Sequence, residues 1–151
     1  MDKKAIRYIV IHCSATRSTQ AYSATQLDRD HRSRGFDGAG YHFYIRRDGS
    51  TKAMRPLSRS GAHALGYNRC SIGVCYEGGL DAFGRPADTR TPEQRACLVE
   101  LLGRLRQSYP RAEIVGHRDL SPDRNADGVI EPNEWIKVCP CFDARGEYAN
   151  L

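Results

Sequence analysis

The chain has 151 residues, 40% of them hydrophobic and 27% charged, with 23 lysines and arginines against 18 acidic residues. One domain of that length buries about two-thirds of its unfolded surface without staples, and no apolar run approaches the ~20 residues of a membrane span. The formal charge of +5 suits an acidic polymer such as nucleic acid, teichoic acid or the carboxylates of cell-wall peptides, but it equally serves plain solubility.

Met1-Asp2-Lys3-Lys4 leads directly into an apolar stretch that is too short and too early for a signal peptide. Synthesis in the cytoplasm is therefore expected, and the six cysteines are expected to be reduced. From Arg7 to Cys13, Tyr8, Ile9, Val10 and Ile11 run without polar interruption, as in a central strand covered on both faces. His12 stands where that strand ends, and α/β sheets gather their sites outside the carboxyl ends of strands.

Ser23-Ala-Thr-Gln26 has the form of a capping box opening a short helix that Gly35 stops. Its apolar face is thin (Ala24, Leu27), which predicts a surface helix near the cleft with His31 solvated. Tyr41 to Ile45 alternate as a strand, Arg47-Asp48-Gly49-Ser50 makes a hairpin turn, and Thr51 to Met54 return. His42 should face away from Tyr41 and be structural. Gly61 to Asn68 form a polar loop, and Ser71 to Tyr76 form the next strand. Thr91-Pro92-Glu93-Gln94 is a helix start, followed by Leu98, Leu101, Leu102 and Leu105 as the main core-facing stripe. Glu113 to His117 is one more short strand, again ending in a histidine. Strands interleaved with helices predict an α/β fold, a single domain with a mixed central sheet flanked by helices.

His12 and His117 thus both terminate apolar strands, and Cys139 follows a loop that could return to the same edge. Two imidazoles and a thiolate are three zinc ligands with one coordination position open, which is what hydrolytic zinc needs to activate water and polarise a carbonyl. Spacing alone does not select them, because the chain offers five histidines and six cysteines. Between His117 and Cys139 lies Asp123-Arg-Asn125-Ala-Asp127-Gly128-Val129-Ile130-Glu131-Pro-Asn-Glu134. Asp at position 1, Asn at 3, Asp at 5, Gly at 6 and Glu at 12 match an EF-hand calcium loop, with the Val129 carbonyl at 7 and Glu131 at 9. Flanking helices are not expected, so this is a lone loop, inserted at 123–134. Calcium there would order the segment carrying Lys137 and Cys139, and its removal should lower activity or thermal stability.

His12-Cys13-Ser14-Ala15-Thr16, Gly40-Tyr41-His42-Phe43, Ala62 through Asn68, Ser71-Ile72-Gly73-Val74 and Lys137-Val138-Cys139-Pro140 run in order over nearly the whole chain. Together they resemble the type-2 N-acetylmuramoyl-L-alanine amidases, in particular the small phage lysozymes of that class, related to the peptidoglycan recognition proteins. The resemblance implies zinc on His12, His117 and Cys139, catalytic roles for Tyr41 and Lys137, and hydrolysis of the amide between N-acetylmuramic acid and L-alanine in peptidoglycan. His63 and Asn68 would line the cleft and bind the stem peptide or sugar. Some cytosolic relatives carry a carboxylate where this chain has Cys75, which favours the phage-like arrangement and intact peptidoglycan. The implied protein is a phage or prophage endolysin, a monomer acting on the wall after release, with neither nucleic acid nor membrane as partner. The alternative is a non-catalytic peptidoglycan-binding protein of the same fold, although a pure binder has no need for an open zinc position.

Overall fold

A computed structural model describes residues 1–151. Its central sheet is built on β1 (Tyr8–Cys13), which pairs in parallel with β5 (Ser71–Tyr76) on one side and β7 (Glu113–Gly116) on the other. Beyond β5 lie β3 (Phe43–Ile45), parallel to it, and β4 (Thr51–Ala53), which returns antiparallel through the Asp48-Gly49 turn. The strand order β4-β3-β5-β1-β7 is a mixed sheet, as the sequence predicts. Ile9, Val10 and Ile11 are all fully buried, as a doubly covered central strand requires.

Strand alternation divides the chain between two layers. Ile9 and Ile11 of β1 and Ile72, Val74 and Tyr76 of β5 point into the main core, which α2 (Pro92–Ser108) closes with Leu98, Leu101, Leu102 and Leu105. On the opposite face, α1 (Ala24–Ser33) sets Leu27 against Tyr44 and Cys75 in a smaller cluster. Both helices carry the capping boxes expected at Ser23/Gln26 and Thr91/Gln94, each satisfying two N–H groups that the first turn leaves open.

Four features escape the sequence reading. A two-stranded parallel ribbon of β2 (Thr16–Arg17) and β6 (Gly79–Leu80) extends the strand ends. A one-turn helix α3 (Ala144–Glu147) seals the core through Phe142, Ala144 and Tyr148. The Arg90 side chain, wholly buried, stacks 3.3 Å from the Phe142 ring centroid and pairs with Asp88 and Glu147, tying that segment down. His31 is not solvated as expected. It is 5% exposed, and its Nδ1 accepts the Gly40 N–H at 2.8 Å, because the loop after α1 folds back over the helix. No helix is long and apolar enough to cross a membrane, and all six cysteines are free thiols.

A candidate metal centre in the cleft

His12 is the fifth residue of β1, so its side chain leaves the sheet on the face opposite Ile11 and Cys13. β7 runs parallel to β1 and ends at Gly116, so His117 opens the next turn (His117–Leu120) beside His12, with ring centroids 4.5 Å apart. The chain then leaves for the acidic loop and returns. The Arg118 N–H donates to the Cys139 carbonyl (2.9 Å), and the Cys13 N–H donates to Cys139 Sγ (3.3 Å). Ligand atoms of His12, His117 and Cys139 lie within 4.8 Å of one another.

The surroundings keep these groups in ligand form. Burial, then His63, His117 and Lys137, push His12 well below the usual imidazole value. Burial and the Lys137 cation lower His117 to about 4. Both rings are therefore neutral at physiological pH, as metal ligation requires. The Cys13 N–H holds Cys139 Sγ at the cleft floor, turned toward the two imidazoles. Three convergent soft and borderline donors fit zinc.

Tyr41 packs against His12 with centroids 4.9 Å apart, and its hydroxyl faces Cys75. Burial, then the neighbouring thiols of Cys75, Cys139 and Cys13, raise its pKa well above the ordinary value, so the hydroxyl keeps its proton. Lys137 is exposed on the rim. Two adjoining cavities share His63, Ala64, Leu65, His117 and Lys137. One, of about 420 Å³, holds His12, Cys139, Tyr41, Arg34, Phe36 and Asn68. The other, of about 540 Å³, is walled by Leu65, Tyr67, Leu120, Pro122 and Ile136. Arg34, Phe36 and this apolar wall go unsignalled in the sequence, because they reach the cleft from separate loops.

His63 and Asn68 line the cleft, but most of their polar atoms are engaged within the protein. His63 Nδ1 meets His12 Nε2 at 2.9 Å, and its Nε2 meets Ser71 Oγ at 3.2 Å. Asn68 Oδ1 accepts the N–H groups of His63 (2.8 Å) and Ala64 (2.9 Å). His42 is structural as expected: Nδ1 accepts the Gly73 N–H and Nε2 meets the Arg59 carbonyl.

The acidic loop is closed at its base by the Ile136 N–H to Ser121 Oγ (3.1 Å) and by the Arg118 guanidinium 3.9 Å over the Trp135 ring. Within it, Asp123 Oδ2 accepts the Gly128 N–H (2.7 Å), Asn125 Oδ1 accepts the Asp127 N–H (3.2 Å), and Asp127 Oδ1 accepts the Val129 N–H (2.9 Å). Glu134 is 4% exposed and receives the N–H groups of Asn125 and Glu131. Asp123 Oδ1 is buried without a partner. Asp127 raises the Glu131 carboxyl above its usual range.

A family model described as N-acetylmuramoyl-L-alanine amidase matches residues 2–132, stopping before Lys137 and Cys139. The endolysin of Enterobacteria phage K11 is 39% identical over 135 residues, covering 89% of this chain and 80% of that protein. Among solved structures, the N-acetylmuramoyl-L-alanine amidase LysC from Clostridium intestinale superposes with a TM-score of 0.73 at 26% identity, covering 95% of this chain and 82% of that one. Drosophila PGRP-LB shares the fold, with a TM-score of 0.69 at 22% identity over 97% of this chain and 81% of its own.

Proposed function

This chain belongs to the N-acetylmuramoyl-L-alanine amidase family, and on that basis we propose that it hydrolyses the bond between the lactyl group of N-acetylmuramic acid and L-alanine in peptidoglycan. The observation that carries the reading is the convergence of His12, His117 and Cys139 on the floor of a cleft that also presents Tyr41 and Lys137. These three residues would hold zinc, which would supply Lewis acidity toward water and the scissile carbonyl.

The protein's own groups do the rest. Neutral His12 and His117 leave the cleft floor without imidazolium charge. The Tyr41 hydroxyl, held protonated, donates to the carbonyl oxygen or orients the attacking water. The Lys137 ammonium lies two residues from Cys139 and offsets the negative charge that develops on the tetrahedral oxyanion. Arg34 meets stem-peptide carboxylates, and the Asn68 amide N–H₂ remains available to the substrate while its oxygen holds the loop. The protein would act on the wall after release from the cytoplasm, as a monomer.

A second reading concerns the loop from Asp123 to Glu134, proposed as a calcium site of Asp123, Asn125, Asp127, the Val129 carbonyl, Glu131 and Glu134. Its support is the buried, unpartnered Asp123 Oδ1, together with the mutual crowding of Asp127 and Glu131. Oxygen-only donors suit a hard cation. The ligand-bearing segment is already pinned through Arg118, Ser121 and Trp135, so calcium would stabilise the loop more than it builds the zinc site.

The deciding experiment is mass spectrometry of purified peptidoglycan digested by zinc-repleted wild type and by Cys139→Ala. Stem peptides with a free L-alanine amine, released only by the wild type, are the expected result. No release by zinc-repleted wild type, with the protein still retained by the wall, would instead establish a binding protein of the same fold.

A further inference from the structure

His63 sits behind the metal centre in a niche cleared for it. A Cβ on Gly73 would stand 2.7 Å from His63 Cγ and Cδ2, and one on Gly61 would stand 2.5 Å from Cδ2. Glycine at both positions leaves the room that the imidazole occupies against β5. The backbone N–H groups of His63 and Ala64 are locked to Asn68 Oδ1. The ring then meets His12 nearly perpendicularly, at 88° and 5.0 Å between centroids.

With His63 neutral, the hydrogen bonds leading away from His12 have only one consistent direction. The Tyr67 carbonyl can only accept, so Ser71 Oγ, 2.7 Å away, gives it its proton. With that hydrogen committed, Ser71 Oγ must accept from His63 Nε2 at 3.2 Å. A neutral His63 protonated on Nε2 has its lone pair on Nδ1, which accepts from His12 Nε2 at 2.9 Å. His12 therefore carries its proton on Nε2 and presents a bare Nδ1 toward Cys139, whose Sγ lies 3.8 Å from it.

We infer that His63 is a positioning residue for the metal centre, one link in a relay from the Tyr67 carbonyl through Ser71 that fixes the tautomer and ring orientation of His12 so that Nδ1 faces the metal. This rests on the zinc reading above. It also gives His63 work other than substrate binding, since both ring nitrogens are already spoken for. The niche glycines belong to the same device, because a side chain on either would displace the ring that holds His12.

Two measurements on the full chain test this. The first uses the metal-free protein at neutral pH, where two-bond ¹⁵N–¹H correlations of the imidazoles report tautomers directly. The expected spectrum has His12 and His63 both protonated on Nε2, and a His63 protonated on Nδ1 would overturn the relay. The second measures zinc affinity by competition with a chromophoric chelator for wild type, His63→Asn and His63→Leu. The two substitutes are close in size, but only asparagine offers an acceptor near the place of Nδ1. Loss of an outer partner to a metal-bound histidine typically weakens metal binding about 10- to 100-fold, so His63→Leu should fall in that range and His63→Asn should recover much of it. Equal zinc affinity in wild type and His63→Leu would refute the inference. Wild type that binds no stoichiometric zinc would instead refute the zinc site and leave the tautomer result to judge the relay. Ser71→Ala leaves the His12 contact in place and removes only the polarity of the chain, so a loss of severalfold is expected there.

Discussion

His12, His117 and Cys139 come from three distant stretches and meet because sheet register brings two strand ends side by side and a backbone hydrogen bond returns the third. Asp123 to Glu134 are twelve consecutive residues that stay largely in solvent and mostly bond to one another. The first cluster is assembled by the whole fold, in burial that keeps its imidazoles neutral. The second is assembled by its own turn chemistry, with carboxylates crowding each other at the surface. A site of the first kind is prebuilt and should tolerate little change near it. A site of the second kind is ordered locally, so a change in it should matter mainly to local stability.

The comparison breaks most visibly at the thiolate. Cys139→Ala should lower release of stem peptides by on the order of 10³ or more, since it removes a ligand rather than a neighbour, while the fold, measured by circular dichroism, stays intact. Loss of tenfold or less would mean that the cysteine is not part of the catalytic centre.

Acid should separate the regions next. Burial leads the causes that lower His12, His63 (to about 3) and His117 (to about 4) from the ordinary 6.5. Below pH 6.5 the unfolded chain therefore binds more protons than the folded one. The metal-free protein should be most stable above pH 6.5 and lose stability as pH falls toward 4, by at most ~1.4 kcal/mol per pH unit for each such histidine. Thermal melts of chelator-treated protein across that range measure it, and a flat profile would mean the rings are not held neutral.

Calcium comes third. At a hundred times its dissociation constant an ion bound only by the folded state adds about 2.7 kcal/mol, or roughly 5–10 °C in Tm for a chain of this size. Wild type should show that rise, and Glu134→Gln should lose it while binding zinc unchanged. Identical melts with and without calcium, zinc being replete, would leave the loop an acidic turn. A collapse of activity on calcium removal would show that the two regions are coupled after all.

The smallest effect probes how tightly the first region is built. Gly73→Ala drives a methyl against the His63 ring, and zinc affinity should drop by about tenfold with little change in the secondary structure. Unchanged affinity would show that the niche has slack.

Much of this was legible in the chain because it is local. The capping boxes at Ser23 and Thr91, the leucine stripe of α2, the Asp48-Gly49 turn and the apolar run of β1 each specify an element through contacts within a few residues. The ends of β1 and β7 placed His12 and His117 as candidates, since strand ends collect sites in such sheets, and the acidic loop declared itself as a pattern of twelve positions. Composition and spacing could not say which of eleven histidines and cysteines converge, and resemblance supplied that choice. Nor could they show that His31 is covered, that His63 turns both nitrogens inward, or that Arg90 is buried to hold the C-terminal segment. Those facts depend on partners 8 to 57 residues away, across loops whose paths no periodicity encodes. A hydrogen bond between distant side chains is decided by where the backbone carries them, and that is settled only when the sheet, its helices and the returning loops have packed together.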